Sequence, residues 1–205
     1  MPADTENLER AAHYVRDRLR RDLPEGLTYH GYGHTVEHVV PAVGRLAAAQ
    51  RLDGEHLHLL LTAAWFHDLG FIETRAGHEA VSIRLASEVL PGLGYSASQV
   101  ETVGRIIAAT ILPQSPTTLP GQLLADADLD VLGRDDYFAR NVDLRSELAF
   151  FGETFTDVEW FSRQLKFLED HTYFTAAARE LRDAGKARNA QALKYKLAEL
   201  GALPG

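Results

Sequence analysis

The hydrophobic residues of the chain recur at helical spacing along nearly its whole length. In a first helix they lie three or four positions apart, at Leu8, Ala12, Val15 and Leu19. A second helix is predicted from about His34 to Gln50, with a bend at Pro41, because proline lacks the amide proton that a helix interior requires. A third helix, ending near Gly70, is apolar around most of its circumference and is therefore expected to be central.

Prolines, glycines and capping residues divide the rest of the chain into further helices. Ser96 with Gln99, and Thr156 with Glu159, have the spacing of a capping box and predict two helix starts. The predicted segments are 77–89, 96–107, 123–132, 137–151, 156–168 and, as alanine-rich charged helices, 172–200. No alternating strand pattern and no long linker occurs. We therefore expect an all-α fold of about eight to ten helices in a single domain spanning residues 1–205.

The charge balance narrows the set of partners. The 205 residues include 21 Lys and Arg against 29 Asp and Glu, a net charge of −8, which disfavours bulk nucleic-acid binding and docking on anionic membranes. There are no cysteines, so disulfides, thiolate nucleophiles, zinc fingers and iron–sulfur clusters are excluded. Residues 1–22 carry charges throughout and lack an apolar core, so we expect a cytoplasmic protein without a membrane segment.

Histidines and carboxylates are concentrated in three segments. His30, His34 and His38 fall within nine residues, and His67-Asp68 ends the apolar third helix. The third segment, 126–130, has acidic residues at alternate positions within an otherwise apolar stretch. A carboxylate at a helix C-terminus opposes the helix dipole, and burying it unpaired costs several kcal/mol more. A cation is therefore expected beside these carboxylates.

The residue types indicate which cation that is. Two helix-borne histidines, the adjacent Asp68 and a distal Asp together provide two nitrogen and two oxygen ligands. Imidazole and carboxylate without thiolate suit Mn²⁺, Fe²⁺, Zn²⁺, Ni²⁺ or Mg²⁺. The residues alone leave the distal ligand open between Asp126 and Asp128.

This arrangement resembles the HD superfamily of metal-dependent phosphohydrolases. In that family a His, a His-Asp doublet on the next helix and a later Asp hold a divalent metal, and here His34, His67-Asp68 and Asp128 occur in that order. The segment 29–34, YHGYGH, is similar to the start of the pattern in several branches, including cyclic nucleotide phosphodiesterases. The segment 126–133, DADLDVLG, resembles that of a bacterial branch of predicted HD phosphohydrolases.

The resemblance covers about residues 29–133 and implies a metal-site core there, with the helices of 134–205 packing on it. It implies His34, His67, Asp68 and Asp128 as metal ligands, with Asp128 preferred to Asp126 because the family's last ligand usually lies in Ala-Asp-Leu or Ala-Asp-Arg. Thr110 stands where two-metal branches carry a further His, so one metal per protomer is expected, although His78-Glu79 could approach the site.

The implied reaction is hydrolysis of a nucleotide, phosphodiester or other phosphate ester. The metal would lower the pKa of a bound water to give the attacking hydroxide, and would neutralise phosphoryl charge. Asp68 would orient that water, and His30, or His78, would protonate the leaving oxygen. Arg75 and Arg84, with Arg105, are candidates for the substrate phosphate.

Two other interpretations stay open at this stage. His34-Thr35-Val36-Glu37-His38 also satisfies H-x-x-E-H, the pattern of an inverted zinc peptidase, but this leaves His67-Asp68 unexplained. The second interpretation is a non-catalytic regulatory or scaffold module with the same metal site. The expected partner is a small phosphorylated molecule. The C-terminal third carries no assignable motif and leaves self-association open.

Overall fold

Helices make up all the regular secondary structure of residues 2–202, the part of the chain that this computed structural model describes, with side chains from residue 5 onward. Nine α-helices occur in this range: α1 (Pro2–Asp22), α2 (Val40–Ala49), α3 (Gly54–Phe66), α4 (His78–Val89), α5 (Ala97–Ile107), α6 (Leu119–Asp128), α7 (Tyr137–Phe150), α8 (Asp157–Asp170) and α9 (Ala176–Glu199). The described residues contain no strand, so the predicted all-α class is confirmed. None of their helices is long and apolar enough to cross a bilayer.

Short helices of other types join several of these elements. A π-helix spans His34–Val39 directly before α2, and 3-10 turns occupy Leu69–Ile72, Leu90–Leu93, Ala108–Thr110 and Asp130–Gly133. Both predicted capping boxes form, at Ser96 and at Thr156. The predicted helix over 123–132 instead begins at Leu119 and gives way after Asp128 to a 3-10 turn.

The first of two compact units, Met1–Asp128, is built around α3. This helix contacts α1, α2, α5 and α6, and its residues Leu60, Ala63 and Phe66 have no solvent exposure. Its predicted central position is confirmed. Because other helices surround α3, His67 and Asp68, which follow its last turn, are buried.

The second unit, Leu129–Gly205, contains α7, α8 and α9. Here one continuous helix, α9, replaces the several helices expected over 172–200. It packs on the Asp130–Gly133 turn, where Arg182 donates to both carboxylate oxygens of Asp130 at 2.7 and 2.9 Å. That residues 134–205 pack on the metal-site core stays a prediction.

Candidate metal centre

Four potential ligands from separate elements of the first unit converge on one point. His34 is the first residue of the π-helix, His67 and Asp68 follow the last turn of α3, and Asp128 is the last residue of α6. One ligand atom from each lies within 4.8 Å of the others. These are the four residues that the resemblance implied, and together they could hold a metal ion.

Nitrogen and oxygen atoms alternate around the space between these side chains. His34 Nε2 lies 3.1 Å from Asp128 Oδ1 and 3.4 Å from Asp68 Oδ2. His67 Nε2 lies 3.4 Å from that same Asp68 oxygen and 3.5 Å from Asp128 Oδ1. His34, His67 and Asp68 are buried, and Asp128 retains partial exposure. The cluster is thus largely shielded from water.

The environment of His67 directs one ring nitrogen into the cluster. Its Nδ1 lies 2.8 Å from the carbonyl oxygen of Ala64, which can only accept, so Nδ1 carries the proton and donates it. The opposite nitrogen, Nε2, and the facing Asp68 Oδ2 are both buried without a hydrogen-bond partner. Buried polar atoms are normally paired, because an unpaired one costs about 1–3 kcal/mol. A cation between these two atoms would satisfy both, and two imidazoles with two carboxylates fit a divalent metal.

The electrostatics of the cluster also favour positive charge between the carboxylates. Burial by itself lowers the pKa of His67, but the charges of Asp68 and Asp128 raise it well above its usual range. Burial raises the pKa of Asp68, and the neighbouring imidazoles of His67, His78 and His34 bring it well below the usual value. Burial raises the pKa of Asp128, but the neighbouring imidazoles of His34 and His67 overcome it and lower the pKa to about 2.

His78, at the start of α4, contacts the carboxylate oxygen of Asp68 that does not face the cluster. Its Nε2 lies 3.2 Å from Asp68 Oδ1, and its Nδ1 lies 3.1 Å from the carbonyl oxygen of Arg75. Burial opposes protonation of His78, but the hydrogen bond to Asp68 raises its pKa. From the sequence we expected only that His78-Glu79 could approach the site. The contact between His78 and Asp68 was not predicted, because it depends on how α4 packs.

His30 lies beside the cluster rather than in it. Its ring is stacked on Phe71, with centroids 4.5 Å apart, and its centroid lies 5.8 Å from that of His34. The half-buried position is compatible with access to a substrate, and its role as a general acid stays a prediction.

The other predicted residues fall in different surroundings. Arg75 is half-buried, and its carbonyl holds His78, whereas Arg84 is exposed and paired with Glu73 at 2.5 Å and Glu88 at 2.8 Å. Their roles toward a phosphate stay predictions. In the described residues, the group of convergent ligands contains neither Asp126, which is buried elsewhere, nor His38 of the H-x-x-E-H pattern.

The fold on which this site is built is shared with solved structures, one of which is a predicted HD superfamily hydrolase. The structure of a predicted HD superfamily hydrolase from an uncultured Thermotogales bacterium superposes with a TM-score of 0.62 at 22% identity, covering 94% of this chain and 92% of that one. The structure of Bacillus subtilis YpgQ in complex with ADP gives a TM-score of 0.68 at 19% identity, with 99% and 98% coverage.

A protein from Lactobacillus plantarum has the same TM-score, 0.68, at 18% identity, with coverage of 96% of this chain and 98% of its own. No family model and no curated protein sequence matches the chain. At these identities the likeness defines the fold alone.

Proposed function

We propose that this protein is a metal-dependent phosphohydrolase that acts on a nucleotide or a related phosphate ester. The observation that carries the proposal is the pair of buried, unpartnered atoms, His67 Nε2 and Asp68 Oδ2, within a cluster of two imidazoles and two carboxylates. Such a cluster is suited to holding a divalent ion. Because the protein carries a net charge of −8, a bound cation would also offset its overall repulsion of a phosphate.

In the proposed site, His34, His67, Asp68 and Asp128 hold the ion. A divalent metal there supplies a Lewis acid, which makes water a better nucleophile at neutral pH and offsets charge on phosphoryl oxygens. The bond from His67 Nδ1 to the Ala64 carbonyl keeps the ring in the tautomer whose Nε2 lone pair faces the ion.

Asp68 and the side chains next to the cluster would supply the remaining roles. Asp68 orients the attacking water, and His30, whose ring lies beside that of His34, donates a proton to the leaving oxygen. Arg75, in the segment between the Leu69–Ile72 turn and α4, is the preferred candidate for a substrate phosphate, because its carbonyl oxygen contacts His78, whose ring contacts Asp68.

The substrate class is supported by one structural neighbour. Bacillus subtilis YpgQ, which shares the fold over almost the whole of both chains, was solved in complex with ADP. A nucleoside phosphate is therefore the substrate that we propose to test first, and phosphodiesters are second.

The test is phosphate release from a panel of nucleotides and phosphodiesters with Mn²⁺, Fe²⁺, Co²⁺, Ni²⁺, Zn²⁺ or Mg²⁺. We expect metal-dependent release by the wild type, loss of release in Asp68→Ala with the fold retained, and near wild-type release in His38→Ala. His38 is the matched control, because it lies one helical turn from His34 and outside the cluster. The absence of release with every metal would favour the regulatory module, and an active Asp68→Ala would place the chemistry elsewhere.

A further inference from the structure

Asp68 uses its two carboxylate oxygens for different contacts. Oδ2 lies 3.4 Å from the Nε2 atoms of both His34 and His67, on the side of the four-residue cluster. Oδ1 lies 3.2 Å from His78 Nε2 instead. A carboxylate can rotate about its last bond, so a contact that fixes one oxygen also determines where the other points.

The ring of His78 is itself held on several sides. Its Nδ1 lies 3.1 Å from the carbonyl oxygen of Arg75, so both ring nitrogens face acceptors, and the protonated imidazole donates to each. One stacking contact places the ring centroid 3.9 Å from that of Phe71, with 26° between the planes. Phe71 also stacks on His30, at 4.5 Å. With both nitrogens and its face engaged, this imidazole has little freedom to turn.

The backbone around His78 is fixed to the turn that carries Asp68. The Gly70 amide donates to the Ser82 hydroxyl at 2.8 Å, which joins the Leu69–Ile72 turn to the middle of α4. A Cβ atom on Gly70 would lie only 1.9 Å from the carbonyl oxygen of His78, so the two segments approach more closely than any side chain allows. The distance between His78 and Asp68 is therefore set by backbone packing.

We infer that His78 is a positioning residue, which holds Asp68 Oδ1 so that Oδ2 points into the cluster and the metal is bound tightly. The inference rests on the metal binding that the proposed function requires. His78 acts here through Asp68, since its own nitrogens are used by Asp68 and Arg75 and it is outside the group of convergent ligands.

Two variants separate the hydrogen bond from the ring. His78→Phe keeps an aromatic ring to stack on Phe71 but cannot donate to Asp68, whereas His78→Gln loses the ring and keeps a donor near the position of Nε2. Groups that orient a metal ligand typically change metal affinity 10- to 100-fold when they are removed. We therefore expect His78→Phe to bind metal about 10- to 100-fold more weakly than wild type, and His78→Gln to recover most of that loss.

The measurement is titration of the purified apoprotein with Co²⁺, followed by its visible absorption, with urea unfolding of each variant as the check on folding. Wild-type affinity in His78→Phe would overturn the inference, as would equal weakening in both variants. Complete loss of binding in both would identify His78 as a ligand, which also contradicts it. If wild type binds Co²⁺ but releases no phosphate, the proposed reaction is wrong. The Co²⁺ affinities of His78→Phe and His78→Gln still test the role of His78 in that case.

Discussion

Replacing Asp128 by Asn in the metal-free protein tests how the cluster is held together. The substitution keeps the shape of the side chain and removes the charge that lies 3.1 Å from His34 Nε2 and 3.5 Å from His67 Nε2. Both imidazoles then lose a carboxylate partner inside the protein. We expect the variant to fold, since Asp128 is the last residue of α6 and stays partly exposed.

The size of the effect follows from the pKa of Asp128. The two neighbouring histidines lower it from 3.8 to about 2 in spite of burial, and each pKa unit corresponds to about 1.4 kcal/mol. The folded form therefore gains ~2 kcal/mol from this carboxylate when it is ionised. Because the folded pKa is the lower one, this stabilisation is complete above pH ~4 and disappears as the pH falls toward ~2.

Urea unfolding with a chelator present, at pH 7 and at steps down to pH 3, measures this difference. Asp128→Asn is expected to be ~2 kcal/mol less stable than wild type at pH 7, with the gap narrowing below pH 4. Asp135→Asn is the control, since its side chain is 95% exposed and should change stability by less than about 0.5 kcal/mol. A gap that is absent at pH 7, or that widens in acid, would refute the reasoning.

Adding metal extends the same experiment to the choice between the two aspartates. An ion that binds only the folded state stabilises it by about 2.7 kcal/mol when its free concentration is 100 times Kd. Wild type and Asp126→Asn should both show this increment, whatever their stability without metal, because Asp126 lies outside the cluster. Asp128→Asn should show little of it.

Two further outcomes follow from the packing. Gly70→Ala should lower the free energy of unfolding by about 1–3 kcal/mol and also weaken metal binding, because the added Cβ would displace the first turn of α4. A urea midpoint and a Co²⁺ affinity that both equal those of wild type would contradict this. Burial lowers the pKa of His171 from 6.5 to about 4. The contribution of His171 to the free energy of unfolding is therefore constant above pH ~6.5 and becomes destabilising as the pH falls toward 4. The difference in unfolding free energy between wild type and His171→Phe should change across that pH range and should stay constant above it.

The sequence was sufficient for the fold class and, through the family resemblance, for the four residues that converge in the cluster. The spacing of apolar residues identified α3 as a buried helix, and a His-Asp pair directly after a buried helix is expected to be buried from solvent as well. The cost of burying Asp68 then pointed to a cation. Asp126 and Asp128 were not separable in this way, because both flank Ala127, and only the end of α6 at Asp128 decides which carboxylate faces the cluster.

Two features of the site depend on packing that has no local signal. The sequence predicted one helix over about His34–Gln50 with a bend at Pro41, but residues 34–39 form a π-helix, in which the Val40 amide donates to the Thr35 carbonyl, and Pro41 lies in the first turn of α2. The contact between His78 and Asp68 depends on the close approach of Gly70 to α4, and from the sequence alone Gly70 suggested only the end of a helix.

The most direct test of the account is a crystal structure of the Mn²⁺-loaded protein with anomalous diffraction from the metal. One anomalous peak per chain is expected, about 2.0–2.3 Å from His34 Nε2, His67 Nε2, Asp68 Oδ2 and Asp128 Oδ1. A peak at other residues, or no peak among these four side chains at a saturating Mn²⁺ concentration, would contradict it.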